Sequence, residues 1–335
     1  MKKVLTLVAA ASAMALVVGT GSAVNAADKT LNIQMVSKGF QHQFWQAVRT
    51  GSEQAGKALN AKITFVGPES ESMVDKQLEQ LQAAIDSKPD AIGYASLDPK
   101  APLALLKKAK AASIPVYMFD AAAGDPKDAT QNEASLGTSS DIALGIARTD
   151  GVAASALAAD KMAALIGGKG TVFVISHSQV NATGIQRRDG FVNQMKKKYK
   201  NIKVLPVQYG EGDHLKSADI VKAVIAANKD LKGVFATNEG GAIGAVDAFK
   251  ELKLKKGKIK LIGFDSGAAQ INAIKSGLMN GAITQDPIGI GYKTVAALVG
   301  KVRNGTTPKN FIDTGFYYYN AKNLTDPKIA AVLYQ

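Results

Sequence analysis

The sequence predicts an α/β protein of two doubly wound parallel-sheet lobes with a ligand cleft between them. Short apolar runs alternate with longer helical patterns from Thr30 onward, which is the signature of a parallel sheet with helical crossovers. Ten such runs are too many for one ordinary doubly wound sheet, and 335 residues suit two domains of about 100–200 residues each. The segments Ile114-Pro-Val-Tyr-Met-Phe-Asp120 and Ile259-Lys-Leu-Ile-Gly-Phe-Asp265 also echo each other, both strands ending in Phe-Asp before small residues.

In chain order, residues 1–26 read as a signal peptide. Lys2 and Lys3 precede an apolar, small-residue run over 4–18, and Val24-Asn25-Ala26 meets the small-residue rule for cleavage after Ala26. The run is short for a membrane span, which needs about 20 residues. Strands are then expected at 31–36, 62–66, 91–95, 115–119, 135–138, 171–175, 203–207, 233–236, 260–264 and 281–284. Most are continuous apolar runs, as required where helices cover both faces of a sheet. Helical patterns separate nearly all of them, at 44–59, 73–87, 101–112, 142–166, 184–199, 217–228, 242–252, 268–276 and 290–302. In the second of these, Val74, Leu78, Leu81 and Ile85 recur at helical spacing and make one apolar face. The stretch 121–132 reads as a break between halves.

Composition removes several function classes. The chain is 46% hydrophobic and 21% charged, which is globular rather than disordered. It has no cysteine, so disulfides, thiolate chemistry, Cys-based zinc sites and a lipoprotein anchor are all excluded. The formal charge of +13 falls to +11 once Lys2 and Lys3 are removed, but no basic tract is long enough to make nucleic acid a partner. The lysine clusters at 196–200 and 253–260 read as solvated faces, with docking against a membrane permease as the alternative. Three histidines, His42, His177 and His214, stand beside no G-x-S-x-G elbow, Walker A loop or H-E-x-x-H pattern. No catalytic residue, metal site or cofactor is expected.

In open α/β sheets, ligands sit outside the carboxyl ends of the strands. The residues there are Ser37 with the loop to Trp45, Asp98, Asp120, Ser176-His177, Asn238, Asp265 and Gln285. Such a set suits a small polyhydroxylated molecule. Each hydroxyl offers one donor and two acceptors, so carboxylates, amides and an arginine fork are its natural partners. The apolar C–H faces of a sugar pack on aromatic rings such as Phe44 and Trp45. Asp120 and Asp265 also fit as helix caps, since Asp at a helix start satisfies free N–H groups. Arg187 and Arg188 lie about 100° apart around a helix, so one of them, Arg187 by preference, points to the cleft.

The ordered motifs Phe44-Trp45, Ile114–Asp120, Arg187-Arg-Asp-Gly-Phe191, Ala236-Thr-Asn238-Glu239, Gly263-Phe-Asp265 and Ala282-Ile-Thr-Gln285 carry a resemblance across the mature chain. Together they resemble the periplasmic sugar-binding proteins of the ribose-binding type, soluble receptors of ABC importers with a periplasmic binding protein-like I fold. The resemblance implies two Rossmann-like lobes joined by a three-crossing hinge, with residues 27–137 plus 286–311 in the N-terminal lobe and 138–285 plus 312–335 in the C-terminal lobe. It implies that His42, Phe44, Trp45, Asp120, Arg187, Asn238, Phe264, Asp265 and Gln285 meet the ligand. His42 stands where ribose binders usually carry Asn, and Ala121 where they often carry Arg. These departures point to a different hydroxyl pattern: another pentose, a ketose, a deoxy sugar or a polyol. The expected protein is a periplasmic monomer that captures a monosaccharide or related polyol by hinge closure and hands it to an ABC permease. The alternative is a receptor of the same shape that serves a chemoreceptor or sensor in chemotaxis or quorum sensing.

Overall fold

The computed structural model describes residues 29–124 and 142–334. The expected signal peptide and the expected strand at 135–138 lie outside the described residues. Two twisted sheets organise the chain. The first runs in the order β12-β5-β4-β3-β1-β2 and the second β13-β11-β10-β9-β6-β7, with β8 beside β6.

In the first sheet, β1 (Leu31–Val36) pairs in parallel with β2 (Ala61–Val66) on one side and β3 (Ala91–Tyr94) on the other. Next to β3 comes β4 (Val116–Phe119), and α1 (Gln43–Ala58), α2 (Val74–Asp86) and α3 (Leu103–Ala111) make the crossovers. Helix α2 buries Leu81 and Ile85 beside Gln77, the face its sequence spacing predicts. In the second sheet, β6 (Gly170–Ser176), β9 (Leu231–Ala236), β10 (Lys260–Phe264) and β11 (Gly281–Gln285) are parallel and almost wholly buried. Helices α4 (Gly151–Leu165), α5 (Ala182–Lys198), α6 (His214–Ala227), α7 (Glu239–Glu251) and α8 (Ala268–Lys275) cover them. Each sheet is sandwiched by two apolar clusters, one per face.

Several helices begin earlier than apolar periodicity suggests, because the first turn is set by a cap. Asn181 accepts from Gly184 N, Asp213 from Lys216 N, and Asn238 from Gly241 N. Helix α9 (Pro287–Asn304) opens with Pro at its first position behind the Asp286 cap and closes on Gly305 in the left-handed region.

The expected helix over 142–166 is corrected. Ile146–Arg148 is a strand, β5, inserted between β4 and β12 (Phe311–Asp313), and only Gly151–Leu165 is helical. A three-residue apolar strand followed by an Ala-rich helix has no periodicity of its own. The neighbouring strands supply its hydrogen bonds. Residues 146–148, expected in the second lobe, therefore belong to the first sheet, and so do 312–313. The expected strand over 203–207 is two short pieces, β7 (Ile202–Val204) and β8 (Gln208–Tyr209). The antiparallel edge strand β13 (Phe316–Tyr319) and the last short helix α10 (Pro327–Ala330) were not anticipated.

The chain crosses between sheets three times: from β5 to α4, from β11 to α9, and from β12 to β13. Thr149 Oγ1 donates to Gly315 O at 3.2 Å and Thr314 N to Arg148 O at 3.1 Å, tying two of the crossings side by side.

Candidate functional site

Parallel strands of both sheets aim their carboxyl ends at one interlobe cleft. Its walls carry His42, Phe44, Trp45, Asp120, Arg187, Asn238, Asp265 and Gln285, eight of the nine residues singled out in the sequence. The ninth, Phe264, is fully buried in the core behind β10, where its ring lies 3.9 Å below the Arg187 guanidinium carbon. Its position is that of a support for Arg187 rather than a wall of the cleft.

The Phe-Asp echo is a structural equivalence. Asp120 follows β4 and Asp265 follows β10, with φ of 56° and 80° respectively. The left-handed conformation turns each carboxylate back over its strand end, and Asp tolerates that region better than most residues with a side chain. Asp265 does not cap the helix that follows it, since Gly267 stands at the N-cap of α8. Asp265 Oδ2 instead accepts from Glu239 N at 3.0 Å, at the start of α7, and Oδ1 accepts from Gln285 Nε2 at 2.7 Å. Burial, with the Asp120 charge, pushes the Asp265 carboxyl up against the opposing pull of Arg187 and Gln285.

Arg187 enters the cleft, whereas Arg188 turns outward onto Asp189 and Tyr209. Arg187 Nη1 donates to Thr237 O at 2.9 Å, and its guanidinium lies 3.9 Å from both Asp120 and Asp265. Asn238 spends its Oδ1 on the α7 cap, and its Nδ2 is a buried donor with no partner; Arg187 Nε has no hydrogen-bond partner either, whereas Asp120 Oδ2 is met by Lys38 Nζ at 2.9 Å. Buried polar atoms left this way cost free energy until something pairs with them. The two donors belong to side chains that line the cleft, where a ligand hydroxyl oxygen can accept from them.

Three cleft residues lie beyond the nine expected to meet the ligand, although His177 and the loop that holds Lys38 stand among the strand-end candidates. Lys38 Nζ lies 2.9 Å from Asp120 Oδ2, reaches Thr183 Oγ1 of the second lobe at 3.2 Å, and stands 5.5 Å above the Trp45 ring. Glu71, in the loop after β2, accepts from Trp45 Nε1 at 2.9 Å. Burial pushes its carboxyl up, but Lys38, His42 and the Trp45 N–H together hold it below the ordinary range. His177 bonds Thr237 Oγ1 through Nδ1 at 2.8 Å and Thr183 Oγ1 through Nε2 at 3.2 Å. Burial, reinforced by Arg187 and Lys38, keeps it neutral, and burial likewise lowers His42. The signal for Lys38 and His177 was their place directly after strands β1 and β6. Glu71 required the carboxyl end of β2 to be inspected as well. Asp98, also a strand-end residue, caps its own turn through Lys100 N and Ala101 N and stays outside the cleft.

Contacts between the lobes close this space. Helix α1 has no side-chain cap from His42, and Glu239 of the second lobe supplies one, with Oε1 and Oε2 each 3.3 Å from Gln43 N and Phe44 N. In return Gln43 Oε1 accepts from Ala268 N at 2.6 Å, at the start of α8. Each lobe thus caps a helix of the other.

This architecture has counterparts. The sequence pattern of the periplasmic binding protein domain family matches residues 33–306. The chain belongs to that family. The D-allose-binding periplasmic protein of Escherichia coli K12 is 24% identical to it over 272 residues, 81% of this chain and 84% of the relative. An ABC transporter solute-binding protein of Agrobacterium vitis, solved with α-D-tagatopyranose, is 32% identical and superposes with a TM-score of 0.84 over 91% of this chain and 100% of its own. A second from the same organism, with bound D-fucose, is 31% identical with a TM-score of 0.82, over 90% and 100%. These relatives are binding proteins, and their fold of two parallel-sheet lobes is the one described here.

Proposed function

We propose that this periplasmic binding protein captures one monosaccharide or a related polyol in the interlobe cleft and delivers it to an ABC-type importer, acting as a monomer without catalysis. One observation carries the reading: polar side chains from both lobes converge on one buried space, two of them with unpaired donors, beside an aromatic pair. Phe44 and Trp45, packed edge to face at 4.8 Å, offer the apolar surface that sugar C–H groups need. Two of its structural neighbours hold monosaccharides, α-D-tagatopyranose and D-fucose.

Closure is the mechanism. Thr149, Asp286 and Thr314 in the three crossings act as the hinge, dividing the chain at residues 148–151, 285–287 and 313–316. In the open form Lys38 loses Thr183, and Glu239 loses the α1 N-terminus. A ligand that touches Asp120 and Lys38 from one lobe and Arg187, Asn238, Asp265 and Gln285 from the other binds the closed form best, so it shifts the population to that form. The importer then meets a closed, loaded receptor. Export by residues 1–26, with cleavage after Ala26, puts the receptor in the periplasm, where a sugar arrives before its permease.

The test is a thermal-shift panel of pentoses, hexoses, ketoses, deoxy sugars and polyols on residues 27–335, followed by calorimetry of any hit. A ligand at 1,000 times its Kd adds about 4 kcal/mol, a rise of several degrees for a protein of this size. Denaturing and refolding the protein first removes any sugar carried through purification. A flat panel after refolding would overturn the sugar assignment.

A further inference from the structure

The edge of the second sheet farthest from the cleft carries a different surface. There the last turns of α6, the end of α7 and the loop into β10 surround an open groove of about 250 Å³. Its floor is aliphatic, with Ile225, Leu252, Leu254 and Ile259, and Leu252 is 40% exposed. Its rim is basic. The loop over 253–260 reads Lys-Leu-Lys-Lys-Gly-Lys-Ile-Lys, five lysines with no acid. Lys253, Lys255, Lys256 and Lys258 are exposed, as is Lys229 at the end of α6. Among the described residues none of these makes an ion pair. Lys222, on the same rim, is already matched by Asp219 at 2.9 Å and Glu251 at 2.7 Å. Asp230, next to Lys229, accepts instead from Thr171 Oγ1 at 2.6 Å.

Helix-dipole compensation does not account for the cluster. Lysines in a last turn balance carbonyl ends, but α7 has only Lys250 there, and the five loop lysines lie beyond it. A merely solvated lysine loop would also not set Leu252 and Leu254 between its cations in an open apolar groove.

We propose that this groove and its lysine rim dock the protein on an anionic phospholipid surface. A bilayer containing acidic lipid supplies both halves of the complement, phosphates for the lysines and an acyl boundary for Leu252 and Leu254. A nucleic acid or other polyanion would answer only the charge; single strands are held on stacking aromatic rings, and the groove has none among its lining residues. Strand direction adds a consequence. The groove lies at the amino ends of the strands and the cleft at their carboxyl ends, so a docked molecule keeps its cleft turned away from the lipid. The inference stands apart from the cleft's ligand, since no cleft residue takes part.

Flotation of residues 27–335 with vesicles tests it, because the described fold contains none of the apolar leader that could insert on its own. The protein should float with phosphatidylcholine vesicles doped with phosphatidylglycerol, not with pure phosphatidylcholine, and partitioning should fall as salt rises. Each lysine near such a surface contributes roughly five-fold, so Lys255→Gln/Lys256→Gln/Lys258→Gln together should weaken partitioning on the order of a hundred-fold. Leu252→Ser should weaken the part that survives high salt. The thermal unfolding midpoint of both variants, unchanged, certifies the fold. No flotation with doped vesicles, or undiminished flotation of the triple variant, overturns the proposal. Salt-sensitive flotation indifferent to Leu252→Ser, together with retention on heparin, overturns it in favour of a polyanion site.

Discussion

Removing the Asp265 side chain probes the cleft most sharply. Its two oxygens accept from Gln285 Nε2 and Glu239 N, and its charge lies 3.9 Å from Arg187. Asp265→Ala leaves two N–H donors and a guanidinium edge without that acceptor. In the open form water reaches them; in the closed form they are buried, so the penalty falls on closure and therefore on ligand binding. A buried orphaned donor costs about 1–3 kcal/mol, and two of them, partly relieved by a trapped water, give about 3 kcal/mol. That is about two decades in Kd. Asp265→Asn separates the causes. Asn tolerates the positive φ that Ala resists, its oxygen keeps the Glu239 N–H, and Gln285 can flip its amide to accept from the new NH₂ group. Only the charge facing Arg187 is lost, so the Asn variant should fall about tenfold. Isothermal titration calorimetry with the sugar found in the panel measures both, and thermal unfolding without sugar checks the fold. An Ala variant binding within three-fold of the parent would refute the assignment of Asp265 to the ligand cleft.

Glu239 predicts a pH dependence. In the closed form burial and the Asp265 charge push it up to about 7. Opening parts it from Gln43 and Phe44 and returns it toward the ordinary value of about 4.3. The closed form therefore holds the proton more tightly, so sugar affinity should rise as pH falls from about 7 toward about 4 and level off below that. Titrations in buffers of different ionisation heat should show proton uptake on binding, and Glu239→Gln should flatten the profile; a parent profile already flat would remove Glu239 from the closure. Trp45 is the only tryptophan, 1% exposed, with Lys38 above its ring and Glu71 on its Nε1. Saturating sugar should shift its emission in the parent and leave Trp45→Phe silent, and an unmoved spectrum alongside calorimetric binding would place closure away from Trp45.

Most of the architecture was legible because burial on both faces makes a strand a continuous apolar run, and helices repeat their apolar stripe. The repeated Phe-Asp was legible as two like strand ends. Strand β5 was not, since Ile146-Ala-Arg148 becomes a strand only through its partners β4 and β12. The edge strands β12 and β13 likewise depend on sheets assembled from elsewhere in the chain.

The cleft divides in the same way. Asp120, Asn238, Asp265 and Gln285 were readable because a parallel sheet directs whatever follows each strand to one edge, and Arg187, inside α5, through the resemblance and its place on the helix. Lys38 and Glu71 were not, since a charged side chain in a loop reads as solvated until its partners are known. Lys38 finds Asp120 at 82 residues' remove and Thr183 at 145. The exchange of caps between Glu239 and α1, and between Gln43 and α8, belongs to tertiary structure alone. Local sequence sets which segments bury their faces and which polar residues end the strands. The approach of the two lobes decides which charges lose their water, and so which must find one another.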